Sequence, residues 1–122
     1  MNVIFICTGN TCRSPMAEGF LNSKRLYGVN AESRGLMASG EKVSEKSVRA
    51  CLGFGVDISS HISKQFSKED LSADKIICLS KSHADILLGL GADKDKVSVL
   101  GNGISDPYGQ SQEVYNVCAK EI

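Results

Sequence analysis

The sequence predicts an α/β fold: a single three-layer, doubly wound domain with a four-stranded parallel sheet and a functional loop after the first strand. Apolar stretches of strand length alternate along the chain with stretches of helical spacing, which is typical of βαβ units. A glycine-containing loop directly follows the first apolar run and leads into a helical segment. The chain has 122 residues, 42% of them hydrophobic, and no stretch resembles a linker in composition. We therefore expect one domain over residues 1–122, with its ligand at the carboxyl ends of the strands.

Two strands and two helices are expected in the first half of the chain. The continuous apolar run that ends the segment Asn2–Ile6 is typical of a buried parallel strand. Pro15 fits the first turn of the following helix, where a missing N–H costs nothing, and Gly28 is the expected stop. A short strand near 31–33 and a helix over Ser44–Phe54 come next. Helical spacing places Ala17, Phe20, Leu21 and Lys24 along one face of the first helix, and Val48, Cys51 and Leu52 form a stripe along the second.

The second half repeats the alternation of strands and helices. Ser67 and Asp70 predict the start of a short helical turn, because side chains three residues apart can cap each other's backbone N–H. Strands are expected at Lys75–Leu79 and Lys96–Leu100, on either side of a helix over Ser82–Leu90. The expected buried positions in that helix are Ile86, Leu87 and Leu90. The spacing of Val114, Tyr115, Cys118 and Ile122 predicts a final helix.

The strongest functional signal is the loop after the first strand. The predicted nucleophile is Cys7, and the predicted phosphate-binding residues are Thr8, Gly9, Asn10, Thr11, Cys12, Arg13 and Ser14. A loop between a strand and a helix N-terminus directs several backbone N–H groups at one point, which suits an anion the size of phosphate. Arg13 can hold two phosphate oxygens in a bidentate fork, and the positive surroundings favour the thiolate of Cys7. No Gly-Lys-Ser/Thr follows, so a nucleoside triphosphate loop is unsupported.

Four segments carry a resemblance to a known family. The run Cys7–Pro15, followed by Met16–Glu18, resembles the signature of the low-molecular-weight protein-tyrosine phosphatase family, which includes bacterial protein-arginine phosphatases. Asp106–Gly109 resembles the general-acid loop of that family, and Gly55–His61 and Asp70–Ile77 are similar to family blocks in the expected order. The resemblance covers nearly the whole chain. It implies a protein phosphatase that works without a cofactor.

The residue types predict a two-step mechanism. Cys7 attacks phosphorus in line and forms a thiophosphoryl intermediate, while Arg13 and the loop N–H groups stabilise the equatorial oxygens. Asp106 protonates the departing group and then acts as a base on the water that hydrolyses the intermediate. Without the cysteine loop, Asp106 would be interpreted as a turn residue before proline.

Three further residues are expected to support the loop. The Ser14 hydroxyl is placed to donate to Cys7, although it could also cap the helix. Asn10 tolerates the left-handed conformation that a tight loop requires. The resemblance implies that His61 supports the loop through a hydrogen bond to Asn10. Cys12 either packs beneath the loop or forms a disulfide with Cys7 under mild oxidation.

Thr11 and Tyr108 are the predicted selectivity residues. By resemblance, tyrosine-directed members typically carry a branched aliphatic residue at the position of Thr11, whereas members that resemble arginine phosphatases carry threonine. A hydroxyl can pair with the N–H donors of a phosphoguanidinium group, which an aliphatic wall would leave unpaired. The resemblance implies that Met37–Lys42 is the substrate-facing loop, where tyrosine-directed members often present an aromatic side chain. This segment has none, so Tyr108 is the only evident aromatic wall. These features favour phosphoarginine, and phosphotyrosine remains the alternative substrate.

Two other function classes have weaker support. Thioredoxin-coupled arsenate reductases resemble the same loop and fold, but they need further cysteines after the nucleophile, and Cys78 has no partner cysteine nearby. A non-catalytic phosphate-binding module is disfavoured because both Cys7 and Asp106 are present.

Composition limits the partners. The formal net charge is zero, with 14 basic and 14 acidic residues, which argues against nucleic acid or an anionic membrane surface. Two histidines and no Cys-x-x-C pair argue against zinc, no other metal is expected, and no role is predicted for His83. Five cysteines without framework spacing, no signal-peptide pattern and no membrane span predict a cytoplasmic protein. The expected partner is a phosphorylated protein substrate, and inorganic phosphate is the product.

Overall fold

The computed structural model describes residues 1–122 and confirms the predicted α/β architecture. The four strands are β1 (Asn2–Cys7), β2 (Asn30–Gly35), β3 (Lys75–Cys78) and β4 (Val97–Val99). The four α-helices are α1 (Arg13–Ser23), α2 (Glu45–Leu52), α3 (Lys81–Gly89) and α4 (Gln112–Glu121). A short 3-10 helix at Lys68–Ser72 carries the predicted capping box, in which the Ser67 N–H donates to Asp70 Oδ2 over 2.9 Å.

The sheet is parallel throughout and has the strand order β2-β1-β3-β4. In the central strand β1, Ile4 pairs with Glu32 on one side and with Ile76 on the other. Cys7 is the last residue of β1 and pairs with Gly35, the last residue of β2. Because parallel strands end at the same edge of a sheet, this edge gathers the loops that follow every strand.

Alternate residues of β1 belong to two different hydrophobic cores. Val3, Phe5 and Cys7 lie in a core shared with α1, α2 and α4, whereas Ile4 and Ile6 lie in a second core with α3. Burial on both faces explains why β1 is a continuous apolar run rather than an alternating one. The result is a sheet between two helical layers.

Helix α1 ends at Ser23, five residues before the predicted stop at Gly28. The chain then reverses through Arg25 and Gly28, both with positive φ, at +48° and +74°. The early end has a simple cause. Asn30 already donates to the carbonyl of Met1, so the helix must end soon enough for β2 to return alongside β1.

The predicted buried side of α3 is wrong at two of its three positions, because Ile86 and Leu90 are exposed and only Leu87 is buried. Lys24, Leu52 and Val114, which share predicted helix faces with buried residues, are also exposed. Helices α2 and α3 instead turn mostly small or polar side chains inward: Ser47, Ala50 and Cys51 in α2, and His83, Ala84 and Leu87 in α3. Small side chains let a helix approach its neighbours closely, and hydrophobicity alone does not identify them as core residues. None of the helices combines the length and apolar character needed to span a bilayer.

Candidate active site

A cleft of about 260 Å³ opens at the carboxyl end of β1. Its lining consists of Cys7, Thr8, Gly9, Thr11, Cys12, Arg13, Glu41, Asp106 and Tyr108. The loop after β1 and the segment around Asp106 are far apart in sequence, yet they form one cavity. The residues predicted to carry the chemistry are therefore within reach of a single small ligand.

Two hydrogen-bond donors face the sulfur of Cys7. The Ser14 hydroxyl oxygen lies 2.8 Å from Cys7 Sγ, and the Asn10 backbone N–H donates to the same sulfur over 3.3 Å. Asn10 Nδ2 donates to Ser14 Oγ over 2.8 Å, which leaves the hydroxyl proton of Ser14 free to point at the sulfur. All three residues are buried. Together the donors stabilise negative charge on Cys7.

The loop also offers unused backbone donors. The N–H groups of Thr8, Gly9, Thr11 and Cys12 donate to no acceptor within the protein. All four residues line the cleft around Cys7. Such a ring of N–H groups at the start of a helix can bind the oxygens of a phosphoryl group.

Asn10 holds the loop in its curled shape. Its φ of +56° lies in the left-handed region, which asparagine tolerates better than most residues. Its side-chain Oδ1 accepts from the Lys64 N–H over 2.8 Å and lies 3.2 Å from His61 Nε2. His61 Nε2 is also 3.0 Å from the Asn10 carbonyl oxygen. Because both oxygens are acceptors only, His61 carries its proton on Nε2.

Gly35 allows the end of β2 to approach this loop closely. A Cβ atom at Gly35 would lie 2.7 Å from the Thr8 carbonyl oxygen and 2.9 Å from the Asn10 backbone nitrogen. Both atoms belong to backbone that hydrogen bonds hold in place, since the Thr8 carbonyl accepts from the Met37 N–H over 2.8 Å. Any side chain at position 35 therefore displaces the phosphate loop.

We expect Gly35→Ala to lower kcat/KM by about 100-fold, because displacements of about 1 Å in a catalytic site have effects of this size. Hydrolysis of p-nitrophenyl phosphate measures the loss, and circular dichroism shows whether the variant is folded. Gly89→Ala is a matched control, since a Cβ there meets nothing within 4 Å. Wild-type kcat/KM in Gly35→Ala would show that the loop position is not critical.

Arg13 and Asp106 lie next to each other at different depths. Arg13 Nη1 donates to the Ile104 carbonyl over 2.8 Å, and its Nη2 lies 3.7 Å from Asp106 Oδ2. The Arg13 side chain is 6% exposed and that of Asp106 is 50% exposed. Asp106 Oδ1 accepts from the Tyr108 N–H over 3.0 Å, which orients the carboxylate. A buried cation thus faces the loop while a carboxylate lies nearer the mouth of the cleft.

Thr11 and Tyr108 form parts of the cleft wall. Thr11 is partly buried, and the sulfur of Cys12, 3.8 Å from Thr11 Oγ1, is its only polar side-chain contact. The ring of Tyr108 is largely exposed. The Thr11 hydroxyl is therefore available to a ligand in the cleft.

Cys12 has a polar neighbour on the side facing α4. Its sulfur lies 3.4 Å from the hydroxyl of Tyr115. Burial, followed by the hydrogen bond to Cys12, raises the pKa of Tyr115 to about 12, so this tyrosine remains a neutral hydroxyl. The disulfide between Cys7 and Cys12 stays a prediction.

His83 is a buried neighbour of the site that the sequence did not reveal. Its Nε2 lies 2.9 Å from Thr8 Oγ1 and its Nδ1 lies 2.9 Å from Ser80 Oγ. Burial and the nearby Arg13 lower the pKa of His83, while Asp106 acts in the opposite direction. The imidazole is therefore neutral at physiological pH and joins the phosphate loop to the start of α3. Its position just after β3, at the edge where parallel strands end, is the signal that could have identified it.

Glu41 is a lining residue for which the sequence predicted no role of its own, although the resemblance implied that its segment Met37–Lys42 faces the substrate. It comes from the segment between β2 and α2, which an isolated bridge between Lys42 and Ile62 holds in place. Because that pairing involves a distant segment, the local sequence does not predict where the Glu41 side chain lies. Neither the cleft nor the rest of the structure contains a group of three or more His, Cys, Asp or Glu side chains that could hold a metal ion.

Comparison with known proteins matches nearly the whole chain. Residues 2–122 match the family model described as low molecular weight phosphotyrosine protein phosphatase. A protein-arginine-phosphatase of Geobacillus stearothermophilus is 36% identical over 132 aligned positions, which cover 98% of this chain and 87% of that protein. The low molecular weight protein-tyrosine-phosphatase PtpB of Staphylococcus haemolyticus is 34% identical over 129 positions, which cover 100% and 92%.

A solved structure shares the fold. It is described as the YwlE arginine phosphatase, a C7S mutant with a phosphorylated active site serine. Its TM-score is 0.91 at 33% sequence identity, and the match covers 99% of this chain and 88% of that one.

Proposed function

The chain belongs to the low molecular weight phosphotyrosine protein phosphatase family and is a protein phosphatase, and we propose that it hydrolyses phosphoarginine in proteins through a thiophosphoryl Cys7 intermediate. The single observation that carries the choice of substrate is the Thr11 hydroxyl on the cleft wall, with no side-chain partner closer than 3.8 Å.

In the first step, the Cys7 thiolate attacks phosphorus. A sulfur–phosphorus bond forms while the phosphorus–nitrogen bond to the guanidinium breaks, and Asp106 gives its proton to the departing nitrogen. Ser14 and Asn10, which donate to Cys7 Sγ, stabilise the thiolate before attack. The solved relative with a phosphorylated active site serine supports phosphoryl transfer to the residue at this position.

In the second step, water attacks the phosphorylated cysteine. Asp106, now a carboxylate, accepts a proton from the water, the sulfur–phosphorus bond breaks, and inorganic phosphate leaves. The free N–H groups of the loop and the Arg13 guanidinium bind the equatorial oxygens in both steps. Because these groups are fixed before the ligand arrives, they need little reorganisation during the reaction.

The choice of phosphoarginine as substrate rests on the polarity of the cleft wall at Thr11. A phosphoarginine presents N–H donors next to the phosphoryl group, whereas a phosphotyrosine presents an apolar ring. The Thr11 hydroxyl can accept from such a donor, and an unpaired donor would cost about 1–3 kcal/mol. The arginine phosphatase relative is consistent with this assignment.

We expect Thr11→Ile to lower phosphoarginine turnover while aryl phosphate turnover is kept or improved. The ratio of the two kcat/KM values should move by about one to two orders of magnitude, because one polar contact is lost and apolar contact is gained. Measurement of both substrates on both proteins gives this ratio directly. Thr11→Ser, which keeps the hydroxyl, is the matched control and should retain the wild-type preference.

Phosphotyrosine is the second candidate substrate. The exposed ring of Tyr108 at the cleft offers an aromatic surface, and one relative is a tyrosine phosphatase. If the wild-type protein barely hydrolyses phosphoarginine and Thr11→Ile leaves the ratio unchanged, the protein is tyrosine-directed.

Nothing in the structure favours an arsenate reductase. Such an enzyme passes oxidation from the nucleophile to further cysteines, and Cys78 is the candidate in the third strand. Cys78 lies in the core with α3, whereas Cys7 lies in the core on the other side of the sheet. Burial also raises the pKa of Cys78 to about 12, so it is a thiol at physiological pH.

A further inference from the structure

The cleft contains a carboxylate that the proposed mechanism does not use. Glu41 and Asp106 are the two acidic residues among those that line it. Asp106 is assigned to proton transfer, and its carboxylate lies 3.7 Å from Arg13. Glu41 therefore needs an explanation of its own.

Glu41 is fixed at both its backbone and its side chain. Its N–H donates to Ser63 Oγ over 2.8 Å, and its carbonyl accepts from the Ser63 N–H over 2.7 Å. Ser63 itself is buried. The Ser39 hydroxyl donates to Glu41 Oε1 over 2.8 Å, which leaves Oε2 without a protein partner. The Glu41 carboxylate therefore has one oxygen that can accept from a ligand in the cleft.

Glu41 forms no ion pair with a cation of the protein. The four ion pairs of the structure join Arg13 to Asp106, Arg34 to Glu32 and Asp70, and His61 to Glu18. An unpaired carboxylate beside a phosphate site repels the phosphate dianion, so for a substrate with a neutral leaving group it would be unfavourable. It becomes favourable when the substrate itself supplies a positive charge.

We propose that Glu41 is a specificity-determining residue that binds the guanidinium group of phosphoarginine while the phosphoryl group lies in the loop. This inference rests on the proposed function and extends it. A phosphoguanidinium is planar and carries several N–H donors, of which Thr11 can accept one and Glu41 Oε2 another. Phosphotyrosine has neither the charge nor the donors, so Glu41 favours phosphoarginine and disfavours phosphotyrosine.

The test compares two peptides that differ only in carrying phosphoarginine or phosphotyrosine at the same position. For Glu41→Gln we expect kcat/KM to fall about tenfold for the phosphoarginine peptide and to stay equal or rise up to about threefold for the phosphotyrosine peptide. The effects are modest because Glu41 is exposed, and solvent and salt weaken the interactions of its charge. Ser39→Ala should shift the preference in the same direction by a smaller factor. Glu69→Gln removes the same charge from an exposed position outside the cleft and should change neither value.

Phosphotyrosine turnover also shows that each variant is folded. Unchanged phosphoarginine turnover in Glu41→Gln, with an active wild type, would overturn the role of Glu41 and leave the proposed function intact. Absence of phosphoarginine turnover in the wild-type protein would overturn both. A third peptide carries arginine next to phosphotyrosine. An equal tenfold loss on that peptide would mean that Glu41 binds a neighbouring side chain instead, which also overturns the inference.

Discussion

Cys7→Ser is expected to abolish turnover while the affinity for phosphate or vanadate is retained. A serine hydroxyl is far less ionised than a thiol and is a poor nucleophile without an adjacent general base, so kcat should fall by about four orders of magnitude or more. The two groups within hydrogen-bond distance of Cys7 Sγ are the Ser14 hydroxyl and the Asn10 N–H, and neither of them is a base. The anion-binding groups, which are the loop N–H groups and Arg13, are left in place.

Steady-state kinetics with p-nitrophenyl phosphate and a vanadate titration by calorimetry measure the two effects separately. Cys51→Ala is a suitable control, because Cys51 is a buried cysteine outside the cleft. Its removal should cost stability but not specific activity. Substantial turnover by purified Cys7→Ser would contradict nucleophilic catalysis by Cys7.

Asp106→Asn is expected to lower kcat/KM most for the substrates with the poorest leaving groups. An amide keeps the shape of the carboxylate and can still accept from the Tyr108 N–H, but it has no proton to give. Phosphate esters of weakly acidic phenols should lose about 100-fold to 1,000-fold in kcat/KM, within the range usual for general acids, whereas esters of strongly acidic phenols should lose little.

A series of aryl phosphates provides the measurement, as the slope of log kcat/KM against the pKa of the leaving phenol. The slope should become steeper in Asp106→Asn than in the wild type. Asp85→Asn, at an exposed position of α3 outside the cleft, should leave the slope unchanged. Equal losses across the series would remove Asp106 from the role of general acid.

Local sequence predicted the parts of the molecule that local interactions determine. The eight residues from Cys7 to Ser14 are contiguous, so their spacing alone places a thiol, several N–H groups and a guanidinium around one point. The order of strands and helices follows in the same way from short apolar runs. The elements occur where expected, with ends displaced by a few residues.

Tertiary contacts determined the parts that the sequence did not reveal. His83 reaches Thr8 only because β3 lies beside β1 in the sheet, and Glu41 reaches the cleft only because its segment pairs with Ser63. The predicted buried face of α3 was wrong for a related reason. Leu90 and Ile86 have the right spacing for a core stripe, but Ala84 and His83 face inward instead.

The placement of the cysteines makes the protein suited to selective chemical labelling. Burial raises the pKa of Cys51 to about 11 and those of Cys78 and Cys118 to about 12, so all three are protonated at neutral pH, and none of them lines the cleft. Cys7 and Cys12 are also buried, but both line the cleft, where a bound ligand can reach them. An electrophile that carries a phosphate-like anion would therefore find its target at one place in the chain, and the native sequence already provides a handle for an activity-based probe.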